Sequence, residues 1–335
     1  MKAQTVSIAF RRAAVLLVML SSSSLAFCGE IQDAAKNGDL EKVKALLKKN
    51  PDLVFSKDSD TWTPTPLFLA VRYDRKDVAE LLLAGKADVN ATNSQDMTPL
   101  HLAASEGNKD VAELLLAHGA NVNAKDGWNV SGNTPLHIAA TRDKKDMAEL
   151  LLANKADVNA CNAFGHTPLM AAAERGHTNM VNFLLAHGAY INAKDTNGTT
   201  ALIWAIHGYK DVAELLLASN ADVNAKDNNG ATALHRVAAG RNYSTGPNYD
   251  HKDMAELLLV NKADVDARDN DEQTPLHWAA SGSGDHKDVA ELLLAHGADI
   301  NAKDKRGETP LDMALTSNHE DVDMIKLLRQ HAGKQ

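Results

Sequence analysis

Cysteine is almost missing from this chain. Two of its 335 residues are cysteine, Cys28 and Cys161, so no disulfide framework can brace the fold and stability must come from packing. Aromatic residues make up only 4%, against 44% apolar residues rich in alanine and leucine. That shortage argues against a thick globular core and for thin layers of closely approaching helices. The longest apolar run, Ala13 to Leu20, is well short of the roughly 20 residues that cross a bilayer. Positive charge is scarce as well. Lys and Arg number 35 against 44 Asp and Glu, a net charge of −9, with Lys2, Arg11 and Arg12 grouped near the start. An acidic body lacks the clustered cations that replace counterions on nucleic acid or an anionic membrane, so neither is an expected partner. Also absent are His-Glu-x-x-His, Cys-x-x-Cys, a phosphate-cradling glycine loop and Gly-x-Ser-x-Gly.

What the chain does have is a repeat. Thr-Pro-Leu-His stands at Thr98–His101, Thr134–His137 and Thr274–His277, and with Ala233 for proline at Thr232–His235. Its equivalents are anchored at Pro66, Pro99, Pro135, Pro168, Ala201, Ala233, Pro275 and Pro310, a period of about 33 residues. One such unit cannot bury its apolar face alone and needs neighbours to stack on. Thr98 suits an N-cap, with Pro99 at the first helical position, where its missing N–H costs nothing. Leu100, Ala103 and Ala104 fall on one face, and Gly107 ends the short helix. Asp110 to Glu113 has capping-box spacing for a second helix with a stripe at Val111, Leu114 and Leu115, closed by His118 and Gly119. Before the first anchor, Ile31 to Phe55 reads as a helix pair without its hairpin.

These residues resemble the ankyrin repeat, whose core runs Gly-x-Thr-Pro-Leu-His-x-Ala-Ala and then Leu-Leu-Leu-x-x-Gly-Ala-Asp-Val-Asn. The likeness extends from about Gly29 to the C-terminus, and the pattern resembles that of bacterial exported proteins of this kind. It implies a mainly α fold, an ankyrin-repeat solenoid of stacked antiparallel helix pairs with projecting β-hairpin loops. The expected organisation is a signal peptide over 1–28 and a single domain over 30–335, with an N-terminal cap at about 30–60 and eight repeats, the last a polar C-terminal cap. The chain departs from the pattern at Lys86, Lys155, Lys262 and Asn220, which stand where the left-handed C-cap glycine belongs. A side chain there costs about 1–2 kcal/mol, so these helices are expected to end more loosely or differently.

Histidine invites a metal reading, since there are 14 and four recur at one repeat position. Equivalent atoms of stacked layers lie about 8–10 Å apart, too far for two ligands with Zn–N near 2.0–2.1 Å to share one ion. His101, His137, His235 and His277 are therefore expected to bond backbone at the hairpin junctions. Glu80, Glu113, Glu149, Glu214, Glu256 and Glu291 share one position and read as caps, whereas a catalytic group in a repeat protein should be singular. No catalytic residue, metal or cofactor is expected.

The resemblance implies recognition by hairpin tips and the concave ends of the first helices. Residues that break the average there are Trp62, Met97, Trp128 and Phe164 on the tips, and Tyr73, Glu106, Arg142 and Arg175 on the helix ends. Two insertions add to these: one carries Trp128, and a longer one, Gly240 to Asp250, brings Arg241 and Tyr243 between two helices. Aromatic and Arg side chains are what binding hot spots are made of. Trp204 and Trp278 stand where other units have Leu102 and Ile138, and read as packing. The expected function is thus a non-catalytic, monomeric module binding another protein; the alternative is an enzyme or accessory with a pocket under the 240–250 loop. Met1 to Cys28, with a basic start, an apolar run and small residues, has the layout of a secretory signal, cleaved after Ala26 or Cys28. This implies a periplasmic or secreted protein. Lipidation at Cys28 is the weaker reading because Phe27 is too large for that motif.

Overall fold

The computed structural model describes residues 29–57, 64–127, 131–240, 250–282, 286–316 and 322–332. The segment 1–28 and Trp62, Trp128, Arg241 and Tyr243 lie outside them. The chain divides into two compact units, the first running to Ala139 and including Asp146–Asp157, the second comprising Ala140–Lys145 and Val158 onward. Among the described residues all regular structure is helical, and every first helix starts on an anchor residue.

The first unit opens with a helix over 29–37, the helix Leu40–Lys49 and the 3-10 turn Pro51–Phe55. Two helix pairs follow, Pro66–Arg72 with Lys76–Ala84 and Pro99–Glu106 with Lys109–Ala117. The second unit holds Pro168–Glu174 with Thr178–Ala186, Ala201–Ala205 with Lys210–Ala218, and Ala233–Ala238 with His251–Val260. Pro275–Ser281 with Lys287–Ala295 and Pro310–Thr316 with Val322–Ala332 complete it. The pair Pro135–Thr141 and Lys145–Ala153 contributes residues to both. Within the second unit each first helix packs on its own partner and on the first helix of the next layer. Alanine permits that approach: Ala171, Ala172, Ala173, Ala205, Ala238 and Ala279 are buried between layers filled by Leu169, Leu202, Leu234 and Leu276.

The threonine and the histidine of the repeated motif work together. Thr98 N–H donates to His101 Nδ1 at 3.1 Å, and the Thr98 hydroxyl lies 2.8 Å from the same nitrogen. Because Nδ1 accepts the backbone proton, the ring is the tautomer with its hydrogen on Nε2. That nitrogen donates to Asn133 O, in the next finger, at 3.0 Å. His235 repeats this with Thr232 and Gln273 O, and His277 with Thr274 and Glu308 O. One ring therefore caps a helix and ties on the following layer, as the spacing argument required. Asp312 supplies only the capping half, accepting from Thr309 N–H at 2.9 Å.

A second clamp comes from the Asn of Val-Asn-Ala. Asn159 Oδ1 accepts from Tyr190 N–H at 2.8 Å while its Nδ2 donates to Gly188 O at 3.2 Å. Asn224 does the same to Asp264 N–H and Lys262 O, and Asn90 to Asn121 N–H and Gly119 O.

Two sequence expectations are corrected. The second helix begins at Lys109, with Asn108 at the N-cap and no side-chain cap bond, so Asp110 and Glu113 form no capping box. Asp110 sits in the first turn, where a carboxylate interacts favourably with the helix dipole. The lysines that replace glycine do not loosen or alter the helix ends. Lys86, Lys155 and Lys262 adopt φ of 66°, 68° and 67°. Ala87 N–H still bonds Leu82 O at 2.9 Å, as Ala120 N–H bonds Leu115 O after Gly119. A Cβ built on Gly119 meets nothing within 4 Å, so space admits the side chain and only the backbone conformation is strained.

Replacing Lys86, Lys155 or Lys262 with Gly should therefore raise stability by about 0.5–1 kcal/mol each, additively because the three sit in different layers. Urea midpoints read this directly; a lowered midpoint would contradict it. Burial pulls the pKa of His101, His235 and His277 below the ordinary 6.5, against the opposing pull of their backbone bonds. The unfolded chain takes up protons near pH 6.5 that the folded rings still refuse. Stability present above that pH should be lost as pH falls through the folded values. Thermal melts between pH 7 and 5 should fall in midpoint, with a shallower slope in His277→Gln.

Candidate functional site

Four of the fingers between helix pairs are each built on one aspartate. Asp195 Oδ1 accepts from Asn197 N–H and Thr199 N–H, both at 2.8 Å. Asp227 accepts from Asn229 and Ala231, Asp269 from Asp271 and Gln273, and Asp304 from Arg306 and Glu308. This folds the chain back within five residues, and the turn closes through Asp195 N–H to Thr199 O at 3.0 Å and Gly198 N–H to Asp195 O at 2.9 Å. The projecting hairpins are thus tight turns, with no strand among the described residues. Asn93 and Asn162 form the same turn with a neutral amide.

Successive fingers are joined by backbone. In the second unit Thr196 N–H donates to Phe164 O, Asn228 N–H to Asn197 O, Asn270 N–H to Asn229 O and Lys305 N–H to Asp271 O, at 2.9–3.0 Å. Glycine is required at this approach: a Cβ on Gly198 would lie 2.8 Å from Asn228 N, and one on Gly230 2.6 Å from Asn270 N, each at φ +77°.

In two fingers the second carboxylate oxygen reaches the first helix of its own layer. Trp278 Nε1 donates to Asp269 Oδ2 at 2.8 Å, and Arg236 pairs with Asp227. Trp204 holds the equivalent position one layer earlier and differs. His166 Nε2, from the preceding finger, lies 3.3 Å from Asp195 Oδ2, and its ring meets Trp204 edge-on at 4.8 Å. The indole Nε1 of Trp204 is buried and bonds no acceptor among the described residues. Beside it lies a groove of about 410 Å³ between fingers and first helices. Glu174, Ile203, Trp204, His207 and Arg236 supply its helix side, and Asn197, Thr199, Asn228 and Asn229 its finger side. The His207 pKa is lowered, by burial first and by the Arg236 charge second, so this ring is uncharged at neutral pH.

The sequence-derived candidates are placed as follows. Phe164 stands on a finger and is 52% exposed. Glu106, Arg142 and Arg175 are exposed at or just beyond the ends of first helices. Tyr73 follows another such end, with Lys36 Nζ 5.4 Å from its ring centre. Met97, expected on a tip, is buried and adds nothing to the finger surface. None of these residues lines the groove at Trp204. Trp204 is half-buried and faces the groove, which corrects its reading as packing alone. The available signal was the succession Trp204, Arg236, Trp278 at one repeat position, where Leu102 and Ile138 stand elsewhere.

At the edge of the 240–250 insertion His251 and His286 face each other with ring centres 5.7 Å apart. His286 is buried against Gly240 and Gly282, where any Cβ would collide with its ring. Burial, and then the neighbouring His286, lower the His251 pKa to about 4. The pair fills space between layers. No group of His, Cys, Asp or Glu among the described residues is arranged to hold a metal ion.

Helix pairs joined by tight fingers, with a groove between fingers and first helices, define a repeat protein. The family model described as ankyrin repeats (3 copies) matches residues 31–126, 94–162, 136–227, 192–246, 221–304 and 244–335. The chain belongs to the ankyrin-repeat family, whose repeats support protein–protein interaction and are typically non-catalytic.

Trp278→Phe should cost about 2 kcal/mol by deleting a bond to a buried carboxylate, whereas Trp204→Phe, which breaks no such bond, should cost less. Chemical denaturation of the two variants decides this; equal losses would contradict the bonding difference.

Proposed function

We propose that the protein is an exported, monomeric, non-catalytic module that binds another protein through its finger tips and the groove ends of its first helices. The observation that carries this reading is the groove at Trp204, where a large aromatic and an arginine replace the aliphatic residue of other units beside three finger asparagines. Aromatic and Arg side chains at the centre of a concave polar surface are the usual energetic anchors of an interface. The tip residue Phe164 extends it, since Thr196 N–H bonds Phe164 O and sets that tip beside the next finger.

Export rests on the residue pattern of Met1 to Cys28. No described helix is long and apolar enough to cross a membrane. Mass spectrometry of the protein from its native host should find a mature N-terminus just after Ala26 or Cys28. A chain retaining Met1 to Cys28 would end the export reading.

A photo-cross-linking residue placed at Asn229 or Phe164 should capture a discrete protein adduct in the native host. The same residue at Glu214, exposed on a second helix of the same unit, should not. Equal adducts from all three positions, or none from the first two, would remove the proposed surface.

A further inference from the structure

The charges lining the groove are unequally spent. Arg236 is engaged by the Asp227 carboxylate, so its charge is already answered within the finger. Glu174, at the end of Pro168–Glu174, is half-exposed to the groove and makes no ion pair among the described residues. Of the groove's two formal charges, the carboxylate is the one left for a ligand.

Trp204 presents ring carbon to that space, because its Nε1 is buried. An indole face attracts a cation through its quadrupole, most strongly where water is partly excluded. Asn197 and Asn229 add side-chain amides that make no bond within the described protein, each offering a donor and an acceptor matched to a peptide main chain. Asn228 is spent differently, donating to Thr196 O at 2.8 Å. A volume of about 410 Å³ suits one long side chain and a short stretch of backbone rather than a folded surface. The body's net charge of −9 favours approach of a basic segment.

We propose that this groove receives an arginine side chain from an extended segment of the partner protein. The guanidinium lies between the Trp204 ring and the Glu174 carboxylate, and Asn197 and Asn229 bond the partner's main chain. Arginine fits better than lysine because its planar, weakly hydrated head can stack on a ring and engage a carboxylate at once. The inference rests on the protein-binding reading above and specifies what is bound.

The full chain labelled with 5-fluorotryptophan tests it, since four tryptophans give four fluorine signals and Trp204→Phe identifies one. The probe is the blocked tripeptide Gly-Arg-Gly, compared with its lysine, citrulline and glutamate counterparts. The arginine peptide should shift the Trp204 signal with a dissociation constant on the order of 1 mM. Citrulline, which keeps the shape and loses the charge, should bind at least about threefold more weakly, and Glu174→Gln should weaken the arginine peptide by about threefold. Added salt should weaken it further. Glu174→Gln lies at a helix end with no internal partner and should leave the melting temperature unchanged.

An unmoved Trp204 signal, an equal response to the glutamate peptide, or unchanged affinity in Glu174→Gln would overturn the assignment. The glutamate response would mean that Arg236 is the ligand-facing charge. Persistent cross-linking at Asn229 beside an unmoved Trp204 signal would discard the arginine and retain protein binding. Loss of both would discard both.

Discussion

A carboxylate that folds its own chain back is the interaction on which the rest of this protein depends. In Asp195, Asp227, Asp269 and Asp304 one oxygen takes two backbone N–H groups and thereby sets the finger. Donors satisfied in this way would otherwise need water or a strand partner. With the turn fixed, the Asp269 finger offers a carbonyl to the next tip, a second carboxylate oxygen to its own helix, and a carbonyl to the histidine of the layer before. Layer stacking then follows from bonds that each unit makes with its immediate neighbours, as expected of an array whose units share a core only with those beside them.

Local signals made the scaffold legible. Threonine, proline and leucine at fixed spacing located every first helix, and the distance argument gave the histidines their backbone role before any coordinates. The second helix was read two residues out of place, because Asp-x-x-Glu imitates a capping box while Asn108 takes the cap. The lysines at left-handed positions were misjudged for a different reason. Propensity prices the residue alone, whereas here the bonds closing the helix end and the open space around Gly119 hold the geometry whatever side chain is present.

The candidate site was less legible, and the finger aspartates show why. Each Lys-Asp or Arg-Asp pair looks like solvated loop, and nothing in the sequence says that the acid turns inward. Without that, Trp278 and Arg236 cannot be seen as donors to their own fingers, nor Trp204 as the member of the series that bonds none. Conversely, Met97 breaks the average as visibly as Phe164 does, yet one is buried and the other half bare. Departure from a repeat marks a difference in environment; direction needs the turn.

The interlayer bonds also bear on heredity. The finger-to-finger bonds of the second unit join backbone N–H and C=O groups that any repeat carries, so an in-frame duplication or loss of one repeat would keep those partners in register. Array length is therefore free to drift by unequal crossing-over with little effect on folding. The succession Trp204, Arg236, Trp278 has no such freedom: a copy inserted within it would separate side chains that now share neighbouring layers. Selection on that stretch should show as resistance to expansion in a chain otherwise open to it.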